Sequence, residues 1–227
     1  MPIKVAIFED HQSIIDGYLY RLSRNSEIHI VGSALYGVDL EPMLARHEVD
    51  VLLLDIHLPT SPDNRAPFPI LQIVPRLCKL FPKLRILVIS MSTQATIIQA
   101  LVKAGARGYI FKDDQESIQK LSTIVEMIAN GGMYFSQGAQ QLSRKASVEI
   151  PTLTQRQLEI LSMCAKWPDI TTAQIAERLN IADSTVRNSL AQAYVRLGVH
   201  TRAAALARLQ QLGVFTGPQF KDFQSLT

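Results

Sequence analysis

Glu9-Asp10, Asp55, Ser90 and Lys112 each stand directly after a short apolar run, so two kinds of acid, a hydroxyl and an ammonium recur at equivalent places along the chain. Groups that recur in this way can assemble one polar site. Three carboxylates gathered at one edge repel each other by about 4 kcal/mol per pair at ~4 Å and an effective dielectric of about 20. A cation is wanted there, and an all-oxygen cluster open to water suits Mg²⁺, which keeps several waters and takes few protein carboxylates. Lys112 adds a positive charge on the opposite side, and Ser90 a hydroxyl donor. Around Asp55 such groups would stabilise the three oxygens of a phosphoryl group, the arrangement needed if a carboxylate is to accept one.

The elements that must position these residues are legible in the same runs. Ile3-Lys4-Val5-Ala6-Ile7-Phe8, Val51-Leu52-Leu53-Leu54, Ile86-Leu87-Val88-Ile89 and Ala106-Arg107-Gly108-Tyr109-Ile110-Phe111 are too short for ordinary helices and mostly rich in β-branched residues. They read as buried parallel strands, and ligands of open parallel sheets bind beyond the carboxyl ends of the strands. Strands are predicted near 3–8, 28–34, 51–54, 86–89 and 107–111, with helices near 11–23, 38–46, 70–80, 93–104 and 115–130. Five βα units make a doubly wound α/β domain over residues 1–130,. One common solution for a five-stranded parallel sheet is the flavodoxin-like order 2-1-3-4-5. Gly131-Gly132 ends the last helix, and residues 131–152, with a short polar helix at about 136–145, read as a linker,.

After Pro151 the strand pattern vanishes. Helices are predicted at about 154–166, 171–178, 183–197 and 201–212, giving a separate all-α domain over 153–213. Thr154 followed by Gln157 has the spacing of a capping box,. Ile175, Leu179, Ile181, Val186 and Leu190 can fill the core of a helix-turn-helix pair, with small Ala176 letting the helices approach,. Thr185, Arg187, Asn188, Gln192 and Arg196 are the non-core donors of the second helix, and a helix so equipped fits the major groove of double-stranded DNA,. The tail 214–227 carries Phe215, Phe220 and Phe223, and its packing is not decided by pattern.

The net charge of +3 over 227 residues divides unevenly. Residues 1–130 hold 13 Lys/Arg against 14 Asp/Glu, and residues 131–227 hold 10 against 6, so the basic excess lies in the helical half,. No apolar stretch approaches the roughly 20 residues of a membrane span, and the N-terminus enters a strand at once without a signal peptide,. The cytoplasm, with no membrane partner, is the expected location. Cys78 and Cys164 lie far apart without CxxC or His-rich surroundings and read as reduced core thiols,.

Residues 3–130 resemble the receiver domain of bacterial two-component response regulators. The resemblance rests on Glu9-Asp10-His11, on Leu52-Leu53-Leu54-Asp55-Ile56-His57-Leu58-Pro59, on Ile89-Ser90-Met91-Ser92, and on Gly105-Ala106-Arg107-Gly108-Tyr109-Ile110-Phe111-Lys112-Asp113, in this order and spacing. It implies that Asp55 is the phosphoacceptor and that Glu9, Asp10, Asp55 and the main-chain carbonyl of His57 hold Mg²⁺. It further implies that Lys112 pairs with the phosphoryl group, Ser90 moves toward it, and Tyr109 changes rotamer as the switch. Between Pro59 and Pro69 the chain departs from the family in a longer proline-rich loop bordering the site,.

Residues 151–212 resemble the LuxR-type helix-turn-helix of NarL/FixJ-type regulators. Leu153-Thr154 with Arg156, Ile175-Ala176 with Leu179, Ser184-Thr185-Val186-Arg187 and Leu197-Gly198-Val199-His200-Thr201-Arg202 carry that likeness. By it, Arg187 and Asn188 contact bases, while Thr185 and Arg202 touch phosphates. Departures are Gln157 in place of Glu, the lengthened Trp167-Pro168-Asp169 loop, Ala182 at the helix cap, where Asp183 or Ser184 would have to substitute, and Ala191 where a lysine often stands,.

These readings combine in a phosphorylation-controlled transcription regulator, with a sensor histidine kinase as donor and a DNA-binding homodimer as the favoured state. Ala204, Leu206, Ala207, Leu209 and Leu212 offer either a dimer seam or intradomain core. Two other readings stay open. One is DNA binding governed by a ligand or partner, with the acidic site unused; the other is an Mg²⁺-dependent phosphohydrolase with Asp55 as nucleophile. Against the latter, His57 stands where haloacid-dehalogenase-type enzymes have an acid.

Overall fold

The computed structural model describes residues 2–143, 153–212 and Val214. The chain divides into two compact units, Met1–Glu149 and Ile150–Thr227. Residues 144–152 of the expected linker and the tail phenylalanines Phe215, Phe220 and Phe223 lie outside the described residues.

The first unit is built on strands β1 (Ile3–Phe8), β2 (Ile28–Ala34), β3 (Val51–Leu54), β4 (Arg85–Ser90), β5 (Gly108–Phe111) and β6 (Tyr134–Phe135). All pair in parallel, in the order β2-β1-β3-β4-β5-β6. The flavodoxin-like doubly wound architecture is therefore present, with one strand more than the five expected. Its helices are α1 (Gln12–Leu22), α2 (Leu40–Arg46), α3 (Ile70–Leu80), α4 (Ala95–Lys103), α5 (Gln115–Gln119), α6 (Leu121–Ala129) and α7 (Gln137–Ser143). A single 3₁₀ turn, Gly37–Asp39, leads into α2.

Both sheet faces are covered, which is why the strands read as unbroken apolar runs. Val5, Ile7, Val51, Leu53, Leu87, Ile89 and Ile110 pack with Ile15, Tyr18 and Leu22 of α1 and with Leu121, Ile124, Val125 and Ile128 of α6. The alternate residues Ala6, Phe8, Leu52, Leu54, Ile86, Val88 and Tyr109 are equally buried. They turn to the other face by the two-residue period of a strand, where right-handed crossovers put α2, α3 and α4.

The sixth strand comes from the segment expected as linker. Gly131, at φ 87°, turns the chain back after α6,. Tyr134 N–H then donates to the Arg107 carbonyl at 3.1 Å, and Ser136 N–H to the Tyr109 carbonyl at 3.0 Å. A Cβ on Gly108 would sit 2.5 Å from the Tyr134 carbonyl oxygen, so the missing side chain is what lets β6 approach,. Helix α7 packs on α4, β5 and β6, and Gln99 donates its side-chain amide to the Ser143 carbonyl. Residues 134–143 thus belong to the first unit.

The second unit is all helical: α8 (Gln155–Lys166), α9 (Thr172–Leu179), α10 (Asp183–Leu197) and α11 (Arg202–Gln211). Its core joins Leu158, Leu161, Ile175, Val186, Leu190, Leu197, Leu206 and Leu209, among others. Of the seam residues, Leu206, Leu209 and Leu212 are buried within this core, while Ala207 is exposed and Ala204 half-buried. Thr154 and Gln157 form the expected capping box on α8, so glutamine serves there as well as glutamate,. A second box, Thr171 with Gln174, starts α9, and Asn180 in the left-handed conformation ends it,. Ala182 caps α10 without a side-chain bond, and neither Asp183 nor Ser184 replaces it, because both lie inside or beyond the first helical position. Asp183 instead places its charge in the first turn, where the helix dipole favours an anion,.

Candidate functional site

The order β2-β1-β3 reverses direction at β1, and the crevice at such a switch point is open beyond the carboxyl ends of β1 and β3,. Glu9 and Asp10 leave β1 there, and Asp55 leaves β3, its N–H still bonded to the Phe8 carbonyl at 2.8 Å. Ser90 ends β4, and Lys112 follows β5 with its N–H on the Ser90 carbonyl at 3.1 Å. Residues scattered over more than a hundred positions of chain thereby share one edge.

Lys112 joins them. Its Nζ lies 2.8 Å from Asp55 Oδ2 and 2.6 Å from Glu9 Oε2, and the two carboxylate side chains are only 3% and 1% exposed. Burial, then the charge of Asp55, pushes the Glu9 carboxyl above its ordinary value, against the pull of Lys112,. Burial draws the Lys112 ammonium down, but Asp55 and Glu9 outweigh it and the pKa ends raised, so the lysine is charged. Asp10 is more open and turns to His11, whose Nδ1 lies 2.7 Å from Asp10 Oδ1 and 3.3 Å from Glu9 Oε1. Glu9, Asp10 and Asp55 against Lys112 leave an excess of negative charge.

Among the described residues, the ligand atoms that lie within 4.8 Å of one another are those of Glu9, Asp10 and His11. Asp55 is linked to this group through Lys112. Carboxylate oxygens at an acidic edge, with one lysine as counter-charge, fit a hard divalent cation such as Mg²⁺.

Ser90 is fully buried and reaches Asp55 through a histidine. His57 Nδ1 lies 3.5 Å from Ser90 Oγ and 3.9 Å from Asp55 Oδ1, while the His57 N–H points at Asp55 Oδ1 from 3.3 Å. The sequence points only to the main-chain carbonyl of His57; the side-chain contact has no signal beyond its place two residues after Asp55. Tyr109 is wholly buried, and its hydroxyl donates to the Ser92 carbonyl at 2.8 Å. Burial pushes this phenol far up, so it is neutral at any physiological pH. Its ring meets Phe111 edge-on with centroids 5.7 Å apart,.

The proline-rich loop beside the site is a tied hairpin. Pro59 and Pro67 form an antiparallel bridge, and Thr60 donates both its N–H and its hydroxyl to the Ala66 carbonyl, each at 2.9 Å. Gly37 N–H donates to the Pro59 carbonyl at 2.9 Å and Val38 N–H to that of Thr60 at 3.0 Å, which docks the loop on the turn before α2.

In the second unit Thr185, Arg187, Asn188, Gln192 and Arg196 are all exposed on α10, opposite its buried side. Arg187 pairs with Asp183 one turn earlier at 3.0 Å, and Arg196 Nη1 reaches Gln157 Oε1 at 3.3 Å. Arg202 has partners within the unit. Its guanidinium donates to the carbonyls of Pro168, at 3.2 Å, and Ile170, at 2.8 Å, and so clamps the lengthened loop from the start of α11. Trp167 in that loop lies beneath two cations, with Arg178 4.1 Å and Lys166 4.7 Å from its ring centroid,.

A doubly wound sheet with acids and a lysine at its switch point, followed by an independent helix-turn-helix unit, defines a signal-receiving domain joined to a DNA-binding one. Residues 5–125 match the family described as "Response regulator receiver domain", and residues 151–209 match "Bacterial regulatory proteins, luxR family". The chain belongs to the response regulators of two-component systems, with a LuxR-type output domain. The transcriptional regulatory protein DesR of Bacillus subtilis is 26% identical over 213 residues, covering 94% of this chain and 99% of DesR. The probable transcriptional regulatory protein NarL of Mycobacterium tuberculosis is 27% identical, covering 90% of this chain and 92% of NarL. Among solved structures, Salmonella enterica RcsB bound to a promoter in the presence of phosphomimetic BeF₃⁻ aligns with TM-score 0.58 and 21% identity, covering 93% of this chain and 100% of that one. At that identity the likeness concerns the fold. Among the described residues, no helix is long and apolar enough to cross a membrane.

Proposed function

We propose that this protein is a phosphorylation-controlled DNA-binding transcription regulator in which Asp55 accepts a phosphoryl group from a sensor histidine kinase. The observation that carries the reading is Lys112 between Glu9 and Asp55, at the open end of the sheet. An Asp55 oxygen attacks phosphorus, the bond to the donor imidazole nitrogen breaks, and the electron pair leaves with that nitrogen. Glu9, Asp10, Asp55 and the His57 carbonyl would hold Mg²⁺, which supplies positive charge against the phosphoryl oxygens. Lys112 pairs with those oxygens once the carboxylate is esterified, and the Ser90 hydroxyl turns to a third.

Ser90 and Tyr109 are linked through the short segment Ser90–Ser92, since the Tyr109 hydroxyl holds the Ser92 carbonyl. Drawing Ser90 toward the phosphoryl group therefore disturbs the partner of Tyr109, which acts as the switch. The state selected by phosphorylation favours a homodimer, as in the RcsB structure described as two dimers on two parallel DNAs, and places two α10 helices in the major groove,. Thr185, Arg187, Asn188, Gln192, Arg196 and Arg202 are the DNA-facing set, and Arg202 also holds the neighbouring loop through Nη1.

Incubating the wild type and Asp55→Ala with Mg²⁺ and acetyl phosphate tests the reading by intact mass and DNA retention. The wild type gains one phosphoryl adduct and binds DNA more tightly. An adduct on Asp55→Ala, or none on the wild type, removes it.

A further inference from the structure

Helix α10 carries an exposed strip in which Ala191 and Val195, residues without a hydrogen-bonding side chain, stand among the DNA-facing donors. At about 100° per residue, Ser184, Asn188, Ala191, Gln192 and Val195 fall within one arc, and each is exposed,. Val186, Leu190, Ala193 and Leu197 take the opposite side and are buried. Arg187 and Arg196 flank the strip, one on either edge. Val195 and Asn188 lie at its centre, and Val195 is 80% exposed, more than any other large hydrophobic residue among the described ones.

A single exposed aliphatic residue needs no explanation. This one lies one turn beyond Ala191 and two beyond Asn188, on the helix that presents its donors to the groove. What covers the donors covers Val195 too. Of the base edges in the major groove, only thymine offers an apolar group, its C5-methyl, and asparagine pairs by two hydrogen bonds with adenine. Ala191 and Val195 stand about 6 Å apart along the helix, roughly two base steps at about 3.4 Å each.

We infer that Ala191 and Val195 read thymine methyl groups, so that each half-site presents thymines beside the adenine bound by Asn188. The inference rests on the assignment of α10 to the major groove. Where a lysine at position 191 would bind guanine or phosphate, a methyl side chain meets a methyl base edge without stranding a donor. Arg187, held by Asp183, is left as the one arginine near the N-terminal end of the strip.

The test uses the full-length protein treated with acetyl phosphate and Mg²⁺, and a pool of random-sequence duplexes. The retained duplex is then rebuilt with deoxyuridine in place of each thymidine, which removes only the methyl group. We expect thymine in the enriched half-sites, with uracil weakening binding about fourfold at each contacted position. Val195→Ala should abolish the uracil penalty at one of these positions while binding the uracil duplex as the wild type does, with an unchanged circular dichroism spectrum. Enriched duplexes indifferent to uracil throughout overturn the inference and leave DNA binding standing. No enrichment of any duplex overturns the DNA-binding reading itself. If Val195→Ala weakens self-association in sedimentation and leaves the uracil penalty intact, a second copy of the chain covers the strip and the inference is wrong.

Discussion

Lys112 shows how much one residue can hold at such a site. Its ammonium is 10% exposed and bonds two carboxylates that are themselves buried. Lys112→Met would leave both acids without their counter-charge, and breaking a buried pair from one side costs about 3 kcal/mol. The expected outcome is a fall in thermal stability of that order at neutral pH, followed by calorimetry. Mg²⁺ should recover more of it in the variant than it adds to the wild type, because the freed acids bind the cation more tightly. Equal Mg²⁺ effects in both proteins would mean that the acids do not hold the ion. His57 and His11 were not legible as side-chain participants, because a histidine beside an acid has no periodicity to mark it. The contact of His57 with Ser90 appears only when β3 and β4 end together, whereas His11 turns to its chain neighbours Glu9 and Asp10.

At the scale of elements, glycines mark the close approaches. Gly108→Ala would drive a Cβ into the Tyr134 carbonyl, which is backbone and cannot swing aside. Loss of the β5–β6 pairing is expected, read as faster hydrogen exchange at Tyr134 and Ser136 N–H with the central strands unchanged,. Gly37→Ala meets the Phe68 ring instead, with its Cβ 2.0 Å from Cγ. Overpacking of this kind costs about 1–3 kcal/mol, and Phe68→Ala in the same chain should return part of it in denaturant titrations. Additive losses would show that the proline-rich loop does not dock on that turn. Most helices and the five longer strands are legible from period and capping residues, but nothing in the pattern divides α5 from α6. The division falls at Lys120, whose φ of −90° and ψ of 13° leave the helical range without any proline or glycine to announce it.

Over the whole molecule, the basic excess of the second half bears on how DNA is held. Arg187 and Arg196 are the only cations on α10, so two units on DNA neutralise few phosphates through this helix. The logarithm of the association constant should fall with the logarithm of salt concentration with a slope of about −4 for a dimer. Fluorescence anisotropy from low to moderate salt measures it, and a slope twice as steep would place further cations, such as Lys166 and Arg178 around Trp167, against the backbone. The sequence alone determined the two architectures, the order of the acids, hydroxyl and lysine, and the helix proposed to face the groove, because each is written in local period or in residue type after a strand. Tertiary structure decided the rest. Two residues are too few to show a strand's period, so β6 exists only as a partner for β5. Arg202 became a loop clamp because two carbonyls more than thirty residues away happen to face it. Asp55 gained Lys112 because the sheet order, and not the distance along the chain, brings the ends of β3 and β5, on either side of β4, to one edge.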